Sequence, residues 1–434
     1  GSTVLDKVYT TTPLCAPARI SLTAGRYAMN TGCFGNRHNI DPDTPTFLQQ
    51  LRQAGIRTAQ IGKLHHFTHG PGSDVSQNDD IIQKLGFDSH LETCGKQGAG
   101  YIHSHCAFTK YLNSLGKREA LWKWCGDFGK NNGQAKNYTP WVFDDLPTQD
   151  EFITREVEKF ISQSDPDQPF YLHAGLVGPH PPFDAPVKCR SYYDKVKPPH
   201  DDEYTIEDLK NWRAYCSCIT EIDEKVGRII KALKDKGIYD NTLVIYTSDH
   251  GEYASERRRW HKSGMHEPSA HIPLAIRVPG NTKSRRIQAL AELLDIGSTV
   301  CDFFGIKNHR LDQGKSLWPL LKGETREHRP DIFSEMGSDK MLYDGRYKLM
   351  YGDLTRDTRK KWQSPPYNGP GFGRPVNLPP DRISLYDLHN DPHEHNNLAE
   401  KKGFNSLLEI MKEKLLKRII TNVQDRPLDS SSVL

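Results

Sequence analysis

The sequence predicts an α/β fold with a large, mostly parallel mixed sheet flanked by helices, and a smaller C-terminal α+β subdomain with a short antiparallel sheet. Three observations predict it. Apolar strand-like runs alternate with helical periodicity through the first 330 residues. Polar clusters fall at the carboxyl ends of those runs, where open α/β sheets place their sites. After about residue 330 the pattern changes to short alternating strands and one amphipathic helix.

In chain order, TPTFLQQLRQAGI (44–56) has helical apolar spacing, and RTAQIGKLH (57–65) follows as a strand running into a loop. Residues 94–147 are rich in Trp, His, Gly and Cys with weak periodicity. They read as an insertion that shapes a rim or pocket. TQDEFITREVEKFISQ (148–163) opens with a Thr-x-x-Glu capping box and reads as a helix. QPFYLHAGLVGPHPPF (168–183) is a buried strand ending in a Pro-rich loop, and a long helix covers about 205–236 before Gly237. NTLVIYTSDHGE (241–252) and IPLAIRVPG (272–280) are further strands. DIFSEM, KMLYDGRYKLMYG and RISLYDL read as antiparallel strands, 364–380 as a Pro/Gly-rich loop and 403–420 as a helix. A catalytic domain over 1–330 and a subdomain over 331–434 are the expected division.

The 434 residues suffice for one large core or two domains, and the net charge of +3 argues against nucleic acid as the main partner. No run approaches the roughly 18 apolar residues a membrane span needs. The opening GSTVLDKVYT has no basic start and no apolar h-region, so no signal peptide is expected in it; Gly1-Ser2 reads as an expression-vector remnant. Nine scattered cysteines lack the tight pairs of a zinc site, and an odd count leaves at least one unpaired. Most are expected to be small buried hydrophobes.

One cysteine stands apart. In PLCAPARISLTAGR (13–26), Pro17 suits the first turn of a helix and places Cys15 at or beside its N-cap. Free N–H groups and the dipole there favour a thiolate nucleophile or an anionic substrate. A Cys–His hydrolase with His65 or His180 as base is one reading, and a buried helix-start cysteine the plain one. Lys63 and His65 alternate on an extended segment, so both are expected to point one way. His180 sits between stiff prolines in GPHPPF. Asp249 and His250, at a strand end, are a common metal-ligand pair, or a helix cap. Lys262 follows Arg257, Arg258 and Arg259, which read as a solvated face, with anion steering second.

Together these pieces resemble the sulfatase family of the alkaline-phosphatase-like superfamily. Cys15-Ala16-Pro17-Ala18-Arg19 with Gly25-Arg26 resembles the first signature, and GIRTAQIGKLH (55–65) the second. GPHPPF, TSDHGE and SLYDLHNDPHEHNNLAE (384–400) resemble later blocks, in the family's order. The resemblance implies that Cys15 is oxidised to formylglycine by a formylglycine-generating enzyme. One hydroxyl of the hydrated aldehyde then attacks sulfur, giving a covalent sulfated enzyme, and the second expels sulfate. It further implies that Arg19 holds the formylglycine and that Lys63 and His65 contact it and the sulfate. His180 protonates the leaving oxygen, and Lys262 binds the sulfate and bridges to that oxygen. Asp249, His250 and residue 15 would ligate Ca2+, with Mg2+ as the alternative.

The implied substrate is a sulfated small molecule or glycan, as a carbohydrate or aryl sulfate ester. Trp122, Trp124, Trp141, His103 and His105 are candidates for stacking on a sugar ring, or for a satellite hydrophobic cluster. A periplasmic, secreted or lysosomal location goes with the family. Its metal site is completed by paired aspartates on a strand tens of residues before the cysteine, and Asp6 is too close to Cys15 to be either. Ala18 and Thr23-Ala24 depart mildly from the signature, and His266 stands where an aromatic is frequent, which reads as pocket tuning. Two other functions remain open: a phosphonate monoester or phosphodiester hydrolase on the same fold, and a non-catalytic sulfatase-like binding protein.

Overall fold

The structure is a computed structural model that describes residues 1–69, 73–101, 103–125, 141–143, 145–200, 203–306, 313–352 and 383–424. The expected loop 364–380 and part of the 94–147 insertion lie outside these.

Seven strands form the central layer: β1 (Thr3–Tyr9), β2 (Arg57–Gly62), β3 (Ser89–Glu92), β4 (Phe170–Gly175), β5 (Val244–Thr247), β6 (Leu274–Arg277) and β7 (Arg285–Glu292). They make two sheets, ordered β5-β6-β1-β7 and β3-β2-β4. The second is all parallel. In the first, β1 and β7 are parallel, but β6 runs antiparallel to both β1 and β5. Only a 3-10 turn and a four-residue helix lie between β5 and β6. Without a crossover helix the chain returns antiparallel. The layer is therefore mixed and divided, with β4 and β5 as edge strands. That position leaves their apolar side chains half-buried, and Tyr246 is 41% exposed.

Helices α1 (Cys15–Ala24), α2 (Phe47–Gln53), α3 (Ala107–Ser114), α4 (Arg118–Cys125), α5 (Gln149–Gln163), α6 (Ile206–Asp235) and α7 (Asp295–Phe303) surround these sheets. One core packs Leu5, Val8, Ile20, Leu48, Leu274 and Val300 together. A second packs Ile61, Phe108, Ile153 and Val157. Thr148 caps α5 by accepting from the Glu151 N–H, but the reciprocal half of the expected capping box does not form. Glu151 is drawn instead into ion pairs with Arg155, Lys225 and Arg228.

The C-terminal elements are β8 (Ile332–Met336), β9 (Asp339–Tyr343), β10 (Tyr347–Tyr351), β11 (Ile383–Asp387) and helix α8 (Asn405–Gln424). The strands form one antiparallel sheet, β11-β10-β9-β8. Alternation puts Phe333, Leu342, Leu349 and Leu385 on the face covered by Leu408, Met411 and Leu415 of α8.

Candidate active site

Four chain turns meet at the carboxyl ends of β1, β2, β4 and β5. After β1, Leu14 is extended (φ −153°) and α1 begins at Cys15. No side chain of Leu14 can cap it. The Asn36 carboxamide accepts from the free Ala16 N–H (3.0 Å) instead, and Pro17 occupies the first turn. After β2, the chain reaches Lys63 through Gly62, whose φ is +103°. A Cβ there would lie 2.2 Å from the Gly175 carbonyl oxygen, and one on Gly175 would lie 2.3 Å from that of Lys63. Two glycines thus let the ends of β2 and β4 close on one another, with the Lys63 N–H donating to Gly175 (2.7 Å). Extended alternation stops at this point. His65 takes a left-handed conformation (φ +61°), so the expected strand-like alternation of Lys63 and His65 does not hold.

Cys15 is 2% exposed, and its Sγ lies 3.0 Å from Nε2 of His250. The His250 Nδ1–H donates to the Gly251 carbonyl (2.8 Å), which turns Nε2 toward the sulfur. Burial opposes ionisation of the thiol, but Lys262, Lys63 and His250 outweigh it and hold its pKa well below the usual thiol range. Burial likewise opposes the His250 charge, and Asp249 and Cys15 overcome it, raising its pKa. Each partner thus favours the charged form of the other. Burial, with Arg19 and Lys262 nearby, lowers the Lys63 ammonium despite Cys15 and Asp249.

Lys262 Nζ donates to Nε2 of His180 (3.1 Å), while His180 Nδ1–H donates to the Pro181 carbonyl (2.6 Å). Burial, Lys262 and Lys63 push the His180 pKa well below its ordinary value, so the ring is neutral. Arg19 lies one turn along α1 from Cys15, and its Nε donates to Asp249 Oδ2 (2.6 Å) and its Nη1 to the Lys63 carbonyl (2.7 Å). It braces the walls of the site. Among the described residues, the site sets Lys63, Lys262, Arg19 and His250 against the Asp249 carboxylate, and the Glu252 carboxyl also faces Lys262 and His250. It is built for an anion.

His65 stands one layer back. Its ring stacks on His69 (4.4 Å), and its N–H donates to Glu92 (3.1 Å). Burial, His69 and Lys63 lower its pKa, so it too is neutral. Four supporting residues escape sequence reasoning. Glu92 also holds His69 (3.1 Å), and Thr10 donates to the Asp249 carbonyl (2.6 Å). His66 Nε2 lies 3.0 Å from Thr23 Oγ1, which gives the Thr23 departure a partner. The run HHFTH (65–69) is a signal for the two histidines; nothing in the sequence marks Thr10 or Glu92.

Other sequence expectations fall outside this cluster. Asp6 is salt-bridged to Arg286. His266 is buried behind the site, with Nδ1 3.0 Å from the Tyr253 hydroxyl, so it tunes no pocket around Cys15. Trp141 is 7% exposed and packs edge-on against Trp124 and Phe143, so its indole belongs to a hydrophobic cluster. Trp122 is exposed at 38%, and His103 and His105 are exposed on the same insertion. Of the basic run, Arg258 pairs with Glu203, and Arg259 lies 4.3 Å over the Tyr253 ring.

Cys15, Asp249 and His250 bring one ligand atom each within 4.8 Å of one another. Calcium takes about six to eight oxygen ligands. Here one carboxylate, already shared with Arg19, is joined by a nitrogen and a sulfur. These residues alone do not fit calcium.

A strand-end cysteine at a helix mouth, ringed by fixed cations on an α/β scaffold, defines a hydrolase of anionic esters. The sulfatase family model matches residues 1–306, and the chain belongs to the sulfatase family, whose members are sulfuric ester hydrolases. It is 28% identical over 452 residues to arylsulfatase K of Bos taurus, covering 92% of this chain and 72% of the relative. It is 27% identical over 424 residues to the choline-sulfatase of Rhizobium meliloti (strain 1021), covering 90% and 74%. Among solved structures, one crystallised with its substrate D-glucosamine-2-N,6-O-disulfate superposes with a TM-score of 0.71 at 18% identity, covering 99% of this chain and 92% of that one. The phosphonate monoester hydrolase of Agrobacterium radiobacter superposes at 0.70 and 23% identity, covering 97% and 89%. These two establish the shared fold. No helix among the described residues is long and apolar enough to cross a membrane.

Proposed function

We propose that the protein hydrolyses a carbohydrate or aryl sulfate ester, with residue 15 converted from cysteine to formylglycine by a formylglycine-generating enzyme. The observation that carries this reading is the position of Cys15: buried, at the first residue of α1, beside His250 and in the field of Lys63 and Lys262. The hydrated aldehyde supplies two hydroxyls on one carbon, one to attack sulfur and one to expel sulfate.

The chain's own residues supply the rest. Lys63 and Lys262 hold the sulfate oxygens and meet the charge that shifts toward the leaving oxygen. Arg19 orients both walls through Asp249 and the Lys63 carbonyl. His180 acts as the general acid when the substrate breaks its Nε2 contact with Lys262 and Nε2, protonated from solvent, gives that proton to the leaving oxygen. His65 joins Lys63 in contacting the formylglycine and the sulfate. Asp249, His250 and residue 15 form one side of a proposed Ca2+ site, with Mg2+ the alternative. These residues alone do not complete it, and no step above depends on the ion. A periplasmic, secreted or lysosomal location accompanies this reading.

The first test is the mass of the peptide carrying residue 15 from protein co-expressed with a formylglycine-generating enzyme. The aldehyde mass is expected; a persistent thiol overturns the formylglycine reading. Because phosphonate monoester hydrolases share the fold, the ester assay measures sulfate and phosphate release together, and sulfate is expected. Calcium calorimetry separates an enzyme from a non-catalytic binding protein, for which no binding would be seen.

A further inference from the structure

A strained turn lies beside the catalytic cluster, and one residue from the C-terminal part of the chain holds both of its ends. Among the described residues, eight that are not glycine have positive φ. Six of them fall between β5 and β6, at Ala254 (+47°), Ser255 (+79°), Arg257 (+56°), Arg258 (+55°), His261 (+71°) and Ser263 (+79°). Left-handed backbone is unfavourable for a residue with a Cβ, so such a run persists only where its surroundings over-determine it. Lys262 sits inside this run. The Ser263 N–H donates to the Pro13 carbonyl (3.1 Å), which seats the turn against the chain leading to Cys15.

The constraint comes from the segment after β11. Arg257 Nη1 donates to the carbonyls of His393 (3.1 Å) and Glu394 (2.7 Å). The His393 Nδ1–H donates to the Glu256 carboxylate (3.1 Å). On the far side of Lys262, the Glu394 carboxylate accepts from the Glu267 N–H (2.8 Å). Glu394 thus grips the turn at Arg257 through its carbonyl and at Glu267 through its side chain, on either side of Lys262. It is 0% exposed and is itself left-handed (φ +57°). Lys348 on β10, also fully buried, sits between the Glu394 and Glu267 carboxylates (2.9 and 2.8 Å). Removing one member of such a buried set strands the charge of the others, so the grip holds as a unit. Arg257, from a basic run that reads in sequence as a solvated face, is the tie between the turn and the C-terminal sheet.

We propose that Glu394, Arg257 and Lys348 are positioning residues that hold this turn in its left-handed course and so place the Lys262 ammonium at the sulfate. The inference rests on the reading of Lys262 as a sulfate-binding group. None of the three belongs to the cluster around Cys15; each acts through Lys262. The lysine carries its charge on a long flexible stem, so the ammonium is only as well placed as the backbone beneath it. When the tie is cut, the residues with positive φ relax toward ordinary backbone, and Lys262 moves with them.

The test uses the full chain, co-expressed with a formylglycine-generating enzyme and carrying Arg257→Ala, which leaves the Lys348 ion pairs intact. Amide hydrogen exchange should become faster in the peptide covering 253–266 and stay unchanged in those covering β2 and α5. On nitrophenyl sulfate, kcat/KM should fall by roughly 10–10²-fold, the scale of a small misplacement of a catalytic group. In a Lys262→Ala background the same change should cost less than about twofold, because the group it positions is already gone. Where Arg257→Ala does not fold, His393→Ala removes the tie to Glu256 from an exposed ring and should show the same pattern. Unchanged exchange in 253–266 overturns the grip. A loss that adds fully to that of Lys262→Ala, or that vanishes at high salt, overturns positioning and marks Arg257 as an anion-steering charge. If Lys262→Ala alone costs nothing, the sulfate-binding reading of Lys262 falls and positioning falls with it, whereas unchanged exchange removes the grip and leaves that reading standing.

Discussion

Replacing His180 by alanine separates general-acid catalysis from mere positioning. His180 Nε2 accepts from Lys262 Nζ at 3.1 Å, and its Nδ1–H is spent on the Pro181 carbonyl at 2.6 Å. The ring can therefore give a proton only from Nε2, once Nε2 is protonated and freed from Lys262. A general acid contributes roughly 10²–10⁴-fold, or about 3–5 kcal/mol of barrier. That contribution matters only where the leaving oxygen is basic. His180→Ala should lower kcat by roughly 10²–10⁴-fold on an alkyl or sugar sulfate, and by less than about tenfold on a nitrophenyl sulfate, whose leaving group departs unprotonated. Lys262→Ala should share this selectivity, with an added loss on both substrates because it also binds the sulfate. Since the two act as a unit, the double variant should be about as slow on the sugar sulfate as the worse single variant, rather than the product of both. The assay is sulfate release across a series of leaving groups, with circular dichroism confirming the fold. An equal loss on both substrate types would refute proton delivery and leave His180 as a group that only orients Lys262.

Cys15→Ala should abolish sulfate release while leaving the melting temperature nearly unchanged, because a small residue at the first turn of α1 loses only a sulfur; residual turnover would move the nucleophile elsewhere. Gly175→Ala should prevent stable folding, since its Cβ would lie 2.3 Å from the Lys63 carbonyl oxygen, backbone that cannot yield; soluble, active protein would show that β2 and β4 can separate there. Burial would raise the Glu151 carboxyl, but Arg228, Lys225 and Arg155 outweigh it and bring its pKa down to about 2. A depressed folded-state pKa contributes stability that is present above the unfolded value of about 4.3 and is lost as pH falls toward the folded one. Glu151→Gln should therefore lower Tm at pH 7 and shrink the wild-type advantage between pH 4 and 2; parallel Tm curves for the two proteins would contradict it.

How much of this was legible in the sequence depends on the range of the interaction. Cys15, His180 and Asp249 stand in short motifs just after strands, so local pattern and chain order bring them together, and the family resemblance adds Lys262. The small antiparallel sheet was legible for a similar reason, since neighbouring strands in sequence pair in space. What was not legible depends on partners far along the chain. Arg19 is drawn onto Asp249, 230 residues away, and so acts as a brace between walls more than as a free anion contact. Glu151 abandons a locally favoured capping box because Lys225 and Arg228 offer it charge. Tryptophan enrichment cannot tell a platform from a core. Trp141 is settled by packing against Trp124 and Phe143 and by its Nε1–H bond to Leu146, which leave its ring no free face for a sugar. The same principle governs the ionic balance of the site. Burial alone would neutralise Cys15, His250 and Asp249, yet each is shifted toward its charged form by its neighbours in the cluster. Their state belongs to the assembled cluster, and removing any one of these cations should shift the protonation of the remainder.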